Sequence, residues 1–323
     1  MLQIDGSYGE GGGQILRTSL SLAAITGQPI QISKIRAGRE KPGLAVQHLT
    51  AVRAAAAICQ AEVRGDTVGS RMLEFIPSCP PIAGDYFFDV AQTTGAGSAG
   101  AIMLILQTVL MPLALAEEDS VVMLKGGTHI AWSPPATYIE QVYLPTLKKM
   151  GVQAEIELIE WGWYPRGGGV VKLEITGRGQ ATSPFSSLHL LERGDLQQVR
   201  GIAAVTELPS HIPQRMASRA ENLLQEARLP GKVQPLRERG IGPGAGIFLT
   251  AEYEGSLAGF GAVGRLGVPA EQVAQTAVSE LLEFHATGMP VDEHLADISS
   301  FTTPPPRGYQ PHSINSISAR STF

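Results

Sequence analysis

The sequence predicts an α+β fold built from repeated units of two helices and a four-stranded sheet, with a small α/β domain inserted after the second unit. The first observation behind this prediction is an order of helix, strand, glycine-rich loop, helix and two strands. This order occurs twice, with the two copies about 90 residues apart. The second observation is that residues 178–266 break the order. Each unit pairs two helices with one sheet, which is the layer arrangement of an α+β sandwich.

The first unit occupies the start of the chain. A strand is predicted at residues 1–5, before the first helix. Apolar periodicity, alternation and glycine content then predict the remaining elements in order: a helix at 16–25, a strand at 30–35, a basic glycine loop at 36–43, a helix at 48–60 and strands at 61–64 and 72–76.

The second unit repeats that order and completes residues 1–177, which we assign to the first two repeats of the main domain. Its predicted elements are a helix at 101–115, a strand at 120–124, a glycine loop at 125–135, a helix at 137–150 and strands at 153–159 and 169–175.

Residues 178–266 are predicted to form the inserted small domain. Their pattern indicates a helix at 213–227 and a pair of strands at 232–236 and 246–254. Residues 267–297 are expected to begin a third repeat, starting with a helix at 269–286. The tail at 298–323 is rich in Ser, Thr and Pro and has neither helical nor strand periodicity.

Composition excludes several classes of protein. Of the 323 residues, 43% are hydrophobic and 17% are charged, as in an ordinary globular protein. The net charge of -5 excludes a basic nucleic-acid coat, so any RNA or nucleotide contact must come from a local patch. The longest apolar stretch, 101–116, contains Gln107 and Pro112 and is short for a bilayer span. It is therefore predicted to be a buried helix, and no membrane partner is expected.

Location is predicted from the cysteines and the first residues. Cys59 and Cys79 have the spacing of neither a disulfide framework nor a metal knuckle, which fits a reducing cytoplasm. The first residues resemble a strand rather than a secretion signal. A cytoplasmic protein is expected.

A glycine-rich loop at residues 6–17 is the first candidate for phosphate binding. Gly9 and residues 11–13 allow backbone amides to approach a ligand, while Glu10 and Arg17 add a carboxylate and a cation. The alternative is an ordinary turn between a strand and a helix.

A basic loop follows, in which four cations are interleaved with glycines: Lys34, Arg36, Arg39 and Lys41. Several cations that converge on one point can hold a phosphate, although a solvated charged loop has the same composition. Gln47 and His48 open the next helix, where the helix dipole favours an anion. His48 alone is also typical of a cap or a surface histidine.

Four further segments remain open between a binding role and a structural one. The small-residue loop at 93–100 suits either phosphate binding or close helix packing. Gln107, inside an apolar helix, requires a partner, which is either a core carbonyl or an adenine edge. Aromatic residues precede Arg166, and they indicate either base stacking or a structural cluster. The acidic run at 292–297 indicates either a nucleotide or metal edge or a solvated face.

Four separated motifs in this order resemble the RNA 3'-terminal phosphate cyclases. They are GSYGEGGGQILR at 6–17, IRAGREKPGLAVQHL at 35–49, LQTVLMP at 106–112 and VDEHLAD at 291–297. The resemblance covers residues 1 to 297, and it implies the repeat fold that this family shares with the enolpyruvate transferases. It also implies a ligase that adenylates a histidine with ATP and passes AMP to the 3'-phosphate of RNA. The vicinal 2'-hydroxyl then displaces AMP, leaving a 2',3'-cyclic phosphate.

The resemblance also implies roles for individual residues. Glu10 would hold Mg²⁺ or another divalent cation, and Arg17, Arg36 and Arg39 would act in catalysis at the phosphates. The expected nucleotide-binding residues are Gln14, Gln47, Gln107, Pro134, Tyr138, His294, Leu295, Ala296, Asp297 and Ile298. RNA 3' ends are the expected partner, and assembly into a homo-oligomer is left open.

The chain departs from the family pattern in two places. Ile298 follows Asp297 where the family has Gln. The family's nucleophilic histidine lies further downstream, in a Ser-x-His-x-x-Thr-Asn setting that is absent from this sequence. His312 is the candidate in its place, and an altered tail is the alternative. Two other functions are therefore kept: an inactive RNA-binding or RNA-processing relative, and an enolpyruvyl transferase, which shares the fold but not the motifs.

Overall fold

The computed structural model describes residues 1–9, 11–92, 99–179 and 185–299. Glu10, most of the small-residue loop at 93–100 and the tail with His312 lie outside these ranges. None of the helices in the described ranges combines the length and the apolar character that crossing a bilayer requires.

The first unit forms a four-stranded sheet covered by two helices. Its elements are β1 (Leu2–Asp5), α1 (Gln14–Thr26), β2 (Ile30–Ser33), α2 (Val46–Cys59), β3 (Glu62–Arg64) and β4 (Leu73–Ile76). The sheet order is β1-β2-β4-β3, in which β1 pairs parallel with β2 and the other two pairs are antiparallel. Alternation in β2 places Ile30 and Ile32 in the core with Leu16 and Leu20 of α1.

The second unit has the same topology. Its elements are β5 (Asp85–Asp89), α3 (Ile102–Ala114), β6 (Ser120–Gly126), α4 (Ala136–Tyr138), a π-helical turn (Ile139–Tyr143), α5 (Leu144–Lys149), β7 (Ala154–Glu160) and β8 (Gly169–Ile175). The sheet order β5-β6-β8-β7 and the strand directions match those of the first sheet. The predicted repeat of two helices and a four-stranded sheet is therefore confirmed.

Helix α3 is the central helix of these two units. It packs against α1 and α2 on one side and against β6 on the other, so almost every residue in it is buried. A helix that is covered on all sides is apolar around its whole circumference, which explains the long apolar stretch in the sequence. The prediction of a buried helix at this position is confirmed.

A third sheet is formed after the second unit. Its elements are β9 (Leu196–Thr206), α6 (His211–Glu226), β10 (Gly231–Glu238), β11 (Gly244–Tyr253), β12 (Leu257–Val263) and α7 (Ala270–Thr287), and α8 (Glu293–Ser299) follows. The strand order is β10-β9-β11-β12. The sequence predicted α6, β10 and β11, but β9 and β12 were not predicted.

Helix α7 packs beside α6 on this third sheet. Ala274, Ala277 and Leu281 of α7 share a core with Val205 of β9 and Ala220 of α6. The sequence had placed this helix in a third repeat beginning at residue 267. Its packing instead favours a small domain that includes α7, and we propose this boundary in place of the one at 266.

Candidate functional site

A cavity of about 780 Å³ lies between the second unit and the third sheet. It is bounded by α1, α3, the segment before and through α4, β11, β12 and α8. Its lining includes seven of the residues that the sequence singled out: Arg17, Gln107, Pro134, Tyr138, His294, Asp297 and Ile298. Side chains from three of the four motifs and from the segment around α4, all far apart in the chain, therefore meet at one concave surface.

Other expected nucleotide-binding residues lie elsewhere. Leu295 is buried in the large core that includes α3, and Ala296 is exposed outside the cavity lining. Gln14 donates from Nε2 to Oδ1 of Asp297 over 2.9 Å, which joins the start of α1 to α8. Gln47 accepts at Oε1 from the backbone N–H of Ala101 over 3.0 Å. These two glutamines hold the walls of the site together.

The glycine loop lies directly against the basic loop. The backbone N–H of Gly38 donates to the carbonyl of Gly11 over 3.3 Å. A Cβ added to Gly13 would lie 2.2 Å from Nε2 of His48 and 3.0 Å from an Nη atom of Arg17. Glycine at position 13 is therefore what lets Arg17 and His48 approach the loop.

Three arginines surround the buried His48. Burial, and then the charges of Arg36, Arg17 and Arg39, lower the pKa of His48 to about 3. The imidazole is therefore neutral at pH 7, although cations surround it. The sequence interpretation of His48 as a cap or a surface histidine is wrong, since the side chain is 6% exposed. Its position six residues before the alanine run at 54–57 carried no signal of this burial.

Arg17 connects this arginine cluster with the cavity. Burial lowers its pKa to about 10, and the charge of Asp297 opposes that shift. Arg36 donates from Nη1 to the carbonyls of Lys41, over 3.0 Å, and Gly43, over 2.8 Å, which holds the basic loop in place. Burial, followed by the charge of Arg39, lowers the pKa of Arg36. Like cations brought this close favour an anion among them.

Four side chains that line the cavity have a buried polar atom without a hydrogen-bond partner in the described part of the chain. These atoms are Nε of Arg17, Nε2 of Gln107, Oγ1 of Thr137 and Nε1 of Trp163. A buried polar group without a partner destabilises a fold by roughly 1–3 kcal/mol, so such groups are rare outside functional sites. One sequence-based interpretation was that the amide of Gln107 donates to a carbonyl in the core. None of the described residues accepts a hydrogen bond from its Nε2. Thr137 and Trp163 were not on the list of expected site residues.

Tyr138 and His294 form one wall of the cavity. Their rings meet edge to face, with 6.0 Å between the centroids. The hydroxyl of Tyr138 donates to Asp292, which also accepts the backbone N–H groups of Gly259 and Leu295. Asp292 belongs to the acidic run that the sequence placed on an open edge or a solvated face. In the structure it is 2% exposed, and burial raises its pKa.

A metal site of protein ligands alone is not formed by the described residues, in which no three His, Cys, Asp or Glu side chains cluster suitably. Glu10, the expected metal ligand, lies outside the described ranges. Mg²⁺ is commonly held by one or two carboxylates together with phosphate oxygens and water, so a single glutamate is enough for that manner of binding.

The repeated units and this cavity, with arginines on one side and aromatic and apolar walls on another, define an α+β protein with a large cleft of the size of a ligand pocket. Comparison with known proteins identifies the family. The chain belongs to the RNA 3'-terminal phosphate cyclases, whose family model matches residues 8–302.

Individual relatives agree with this assignment. A protein of Nostoc punctiforme named RNA 3'-terminal phosphate cyclase is 66% identical over 297 residues, which cover 92% of this chain and 84% of that protein. Proteins with the same name from Methylococcus capsulatus and Archaeoglobus fulgidus are 52% and 40% identical, each over 92% of this chain and over 81% and 85% of their own length. The resemblance drawn from the four motifs is confirmed.

Proposed function

We propose that this protein uses ATP to convert the 3'-terminal phosphate of RNA into a 2',3'-cyclic phosphate. The observation that carries the proposal is the convergence of buried, unpartnered polar groups of Arg17, Gln107 and Thr137 on one cavity beside an arginine cluster. A ligand with both a polar aromatic base and phosphates supplies what these groups lack. Membership of the family supports RNA as the second substrate.

The cavity suits the adenosine part of ATP. Tyr138 and Pro134 supply a flat apolar wall, and His294 lies at the edge of the tyrosine ring. Gln107 and Thr137 are available to the polar edge of a base. About 780 Å³ is within the usual range of ligand pockets, roughly 300–1,000 Å³.

The arginine cluster suits the phosphates. Arg17 reaches both the cavity and the cluster, so a nucleotide in the cavity would direct its phosphates towards Arg36, Arg39 and the neutral His48. ATP supplies an activated α-phosphate when bound, and the arginines neutralise charge on its oxygens. Glu10 would hold Mg²⁺ against those oxygens, and His312 is the residue proposed as nucleophile.

We also infer a cytoplasmic location, which the two unpaired cysteines support.

Incubation with ATP labelled at the α-phosphate, with and without a 3'-phosphorylated oligonucleotide, tests this function. We expect radioactivity on the protein without RNA, and a cyclic end on the oligonucleotide when both are present. Arg17→Ala should reduce the rates of protein labelling and of cyclisation by roughly 10- to 100-fold, because it removes a charge-assisted contact with the phosphates. Arg64→Ala, at an exposed site on β3, is the matched control.

The same assay separates the alternatives. His312→Ala should abolish the label on the protein if His312 is the nucleophile, and an unchanged label would assign that role elsewhere. Wild-type protein that binds the oligonucleotide in a salt-sensitive manner, but takes up no label and forms no cyclic end, would overturn the cyclase in favour of an RNA-binding relative.

A further inference from the structure

Trp132 is exposed at the lining of the cavity. Its side chain is 96% exposed, and that of Tyr164, which lines the same cavity, is 78% exposed. Exposed aromatic rings forgo much of the stabilisation that burial gives, so two of them at one cavity point to a contact with another molecule.

The backbone of Trp132 supports this interpretation. Its φ angle is +67°, in the left-handed region that a bulky side chain rarely adopts. A smaller or more flexible residue would reach this conformation more easily. Strain of this kind is retained where the orientation of the side chain has a use.

Trp163 precedes Tyr164 directly in the chain, lines the same cavity and is packed closely by its neighbours. Its ring stacks on Trp161, with 5.4 Å between centroids, and contacts His129. A Cβ added to Gly244 would lie 2.1 Å from the Trp163 ring, so the backbone of β11 covers one side of it closely. The buried Nε1 of Trp163 has no hydrogen-bond partner in the described ranges.

Basic side chains accompany these aromatics. Arg265 lines the cavity, and Arg166 follows Tyr164 by two positions and donates to the carbonyl of Ile241 over 3.0 Å. Asp297 is the one acidic residue among the described residues of the lining, and its carboxylate accepts a hydrogen bond from Gln14. The charge near the aromatic rings is therefore suited to a phosphate backbone.

We propose that Trp132 and Tyr164, above Trp163, form a site on which the 3'-terminal bases of the RNA substrate stack, and that Arg265 contacts the phosphate backbone of that RNA. We call this site the stacking seat. The proposal rests on the proposed function, because it assigns part of the same cavity to the second substrate. Single-stranded RNA presents unstacked bases, and aromatic side chains bind their faces with little regard to sequence. The N–H of Trp163 is available to a base carbonyl. The seat thus accounts for the part of the lining that the nucleotide contacts above do not use.

Binding of a fluorescent, single-stranded 3'-phosphorylated oligonucleotide without ATP is the direct test. We expect about tenfold weaker binding for Trp132→Ala and for Tyr164→Ala, with the loss appearing in RNA affinity rather than in labelling by ATP. Phe87→Ala removes an exposed aromatic on β5 that does not line the cavity, and it is the matched control. Wild-type affinity in both cavity variants would overturn the seat.

Tryptophan emission gives a second readout. The oligonucleotide should quench a component of the emission that is missing in Trp132→Phe, and ATP alone should not. Quenching of that component by ATP alone would overturn the seat, because it would assign Trp132 to the nucleotide. Binding of the oligonucleotide through Trp132 without cyclisation would support the seat while overturning the proposed function.

Discussion

The hydroxyl of Tyr138 donates a hydrogen bond of 2.8 Å to Oδ1 of Asp292, 154 positions further along the chain. The same carboxylate accepts the N–H of Gly259 on β12 at 3.1 Å and the N–H of Leu295 in α8 at 2.9 Å. One buried side chain therefore joins a wall of the cavity, the third sheet and the helix that carries His294. A π-helical turn begins directly after Tyr138, and such turns are frequent at functional sites.

Replacement of Asp292 by Ala should loosen this junction. It leaves the buried Tyr138 hydroxyl and two N–H groups without an acceptor, which destabilises the fold by about 2 kcal/mol or more. The KM for ATP should rise as well, because Tyr138 and α8 lose their common anchor. Urea unfolding and ATP-dependent labelling measure the two effects. Glu293→Ala, at the exposed neighbouring position, is the control, and equal unfolding midpoints for the two variants would contradict the role given to Asp292.

Replacement of Gln107 by Leu should separate stability from binding. The amide Nε2 is buried without a partner among the described residues, so an apolar side chain of similar size should leave stability unchanged or raise it by about 1 kcal/mol. Affinity for ATP should fall about tenfold if the amide contacts the nucleotide. Differential scanning calorimetry measures the stability of the variant, and titration calorimetry measures its affinity for ATP.

The control for this variant is Thr108→Val on the same helix. Its hydroxyl already donates to the carbonyl of Leu104 over 3.0 Å, so this change should reduce stability and spare ATP binding. A Gln107→Leu protein that is less stable but binds ATP normally would show that the amide has a structural partner instead.

Replacement of Gly13 by Ala should disturb the arginine cluster. The new Cβ would lie 2.2 Å from the buried His48 ring, so the ring or the loop must move. We expect a lower melting temperature and a loss of labelling by ATP of about tenfold or more. Gly12→Ala is the comparison variant: its Cβ would meet the guanidinium of Arg39 at 3.1 Å, which can shift more easily than the buried His48 ring, so a smaller loss is expected. Similar behaviour of the two variants would show that the approach of His48 to the loop is unimportant.

Stability should decrease in mild acid because of two buried histidines. The pKa values of His48 and His129 are lowered from 6.5 to about 3, mainly by burial. Between these values the unfolded chain binds a proton at each position and the folded chain does not. Stability is therefore full above pH 6.5 and falls as the pH falls, by about 1.4 kcal/mol per pH unit for each histidine.

Urea unfolding at several pH values between about 7 and 5 measures this slope. His129→Gln should make it shallower, since one of the two groups is removed, while His189→Gln changes an exposed position and is the control. A slope that His129→Gln leaves unaltered would contradict a neutral, buried His129.

Much of the fold could be predicted from the sequence because it depends on neighbouring residues. Alternation in β2 and β8, and the apolar run of α3, directly reflect which faces are covered. Strands β5, β9 and β12 were missed; in β9 and β12, residues such as those at 196–198 and 259–261 do not alternate clearly. Helix α7 was recognised as a helix, but its periodicity carries no information about which sheet covers its apolar face.

By itself, the sequence determined the repeated unit, the two loops that bring glycines and arginines together, and the family to which the chain belongs. The tertiary structure decided which polar groups are left without partners, that His48 is buried among arginines and that Asp292 joins three elements. Periodicity is a property of consecutive residues, whereas burial and hydrogen bonding depend on residues that are distant in the chain. Gln107 illustrates the difference: its place in an apolar helix is visible in the sequence, but only the folded chain shows that its amide lacks a partner in the described ranges and belongs to the lining of the cavity.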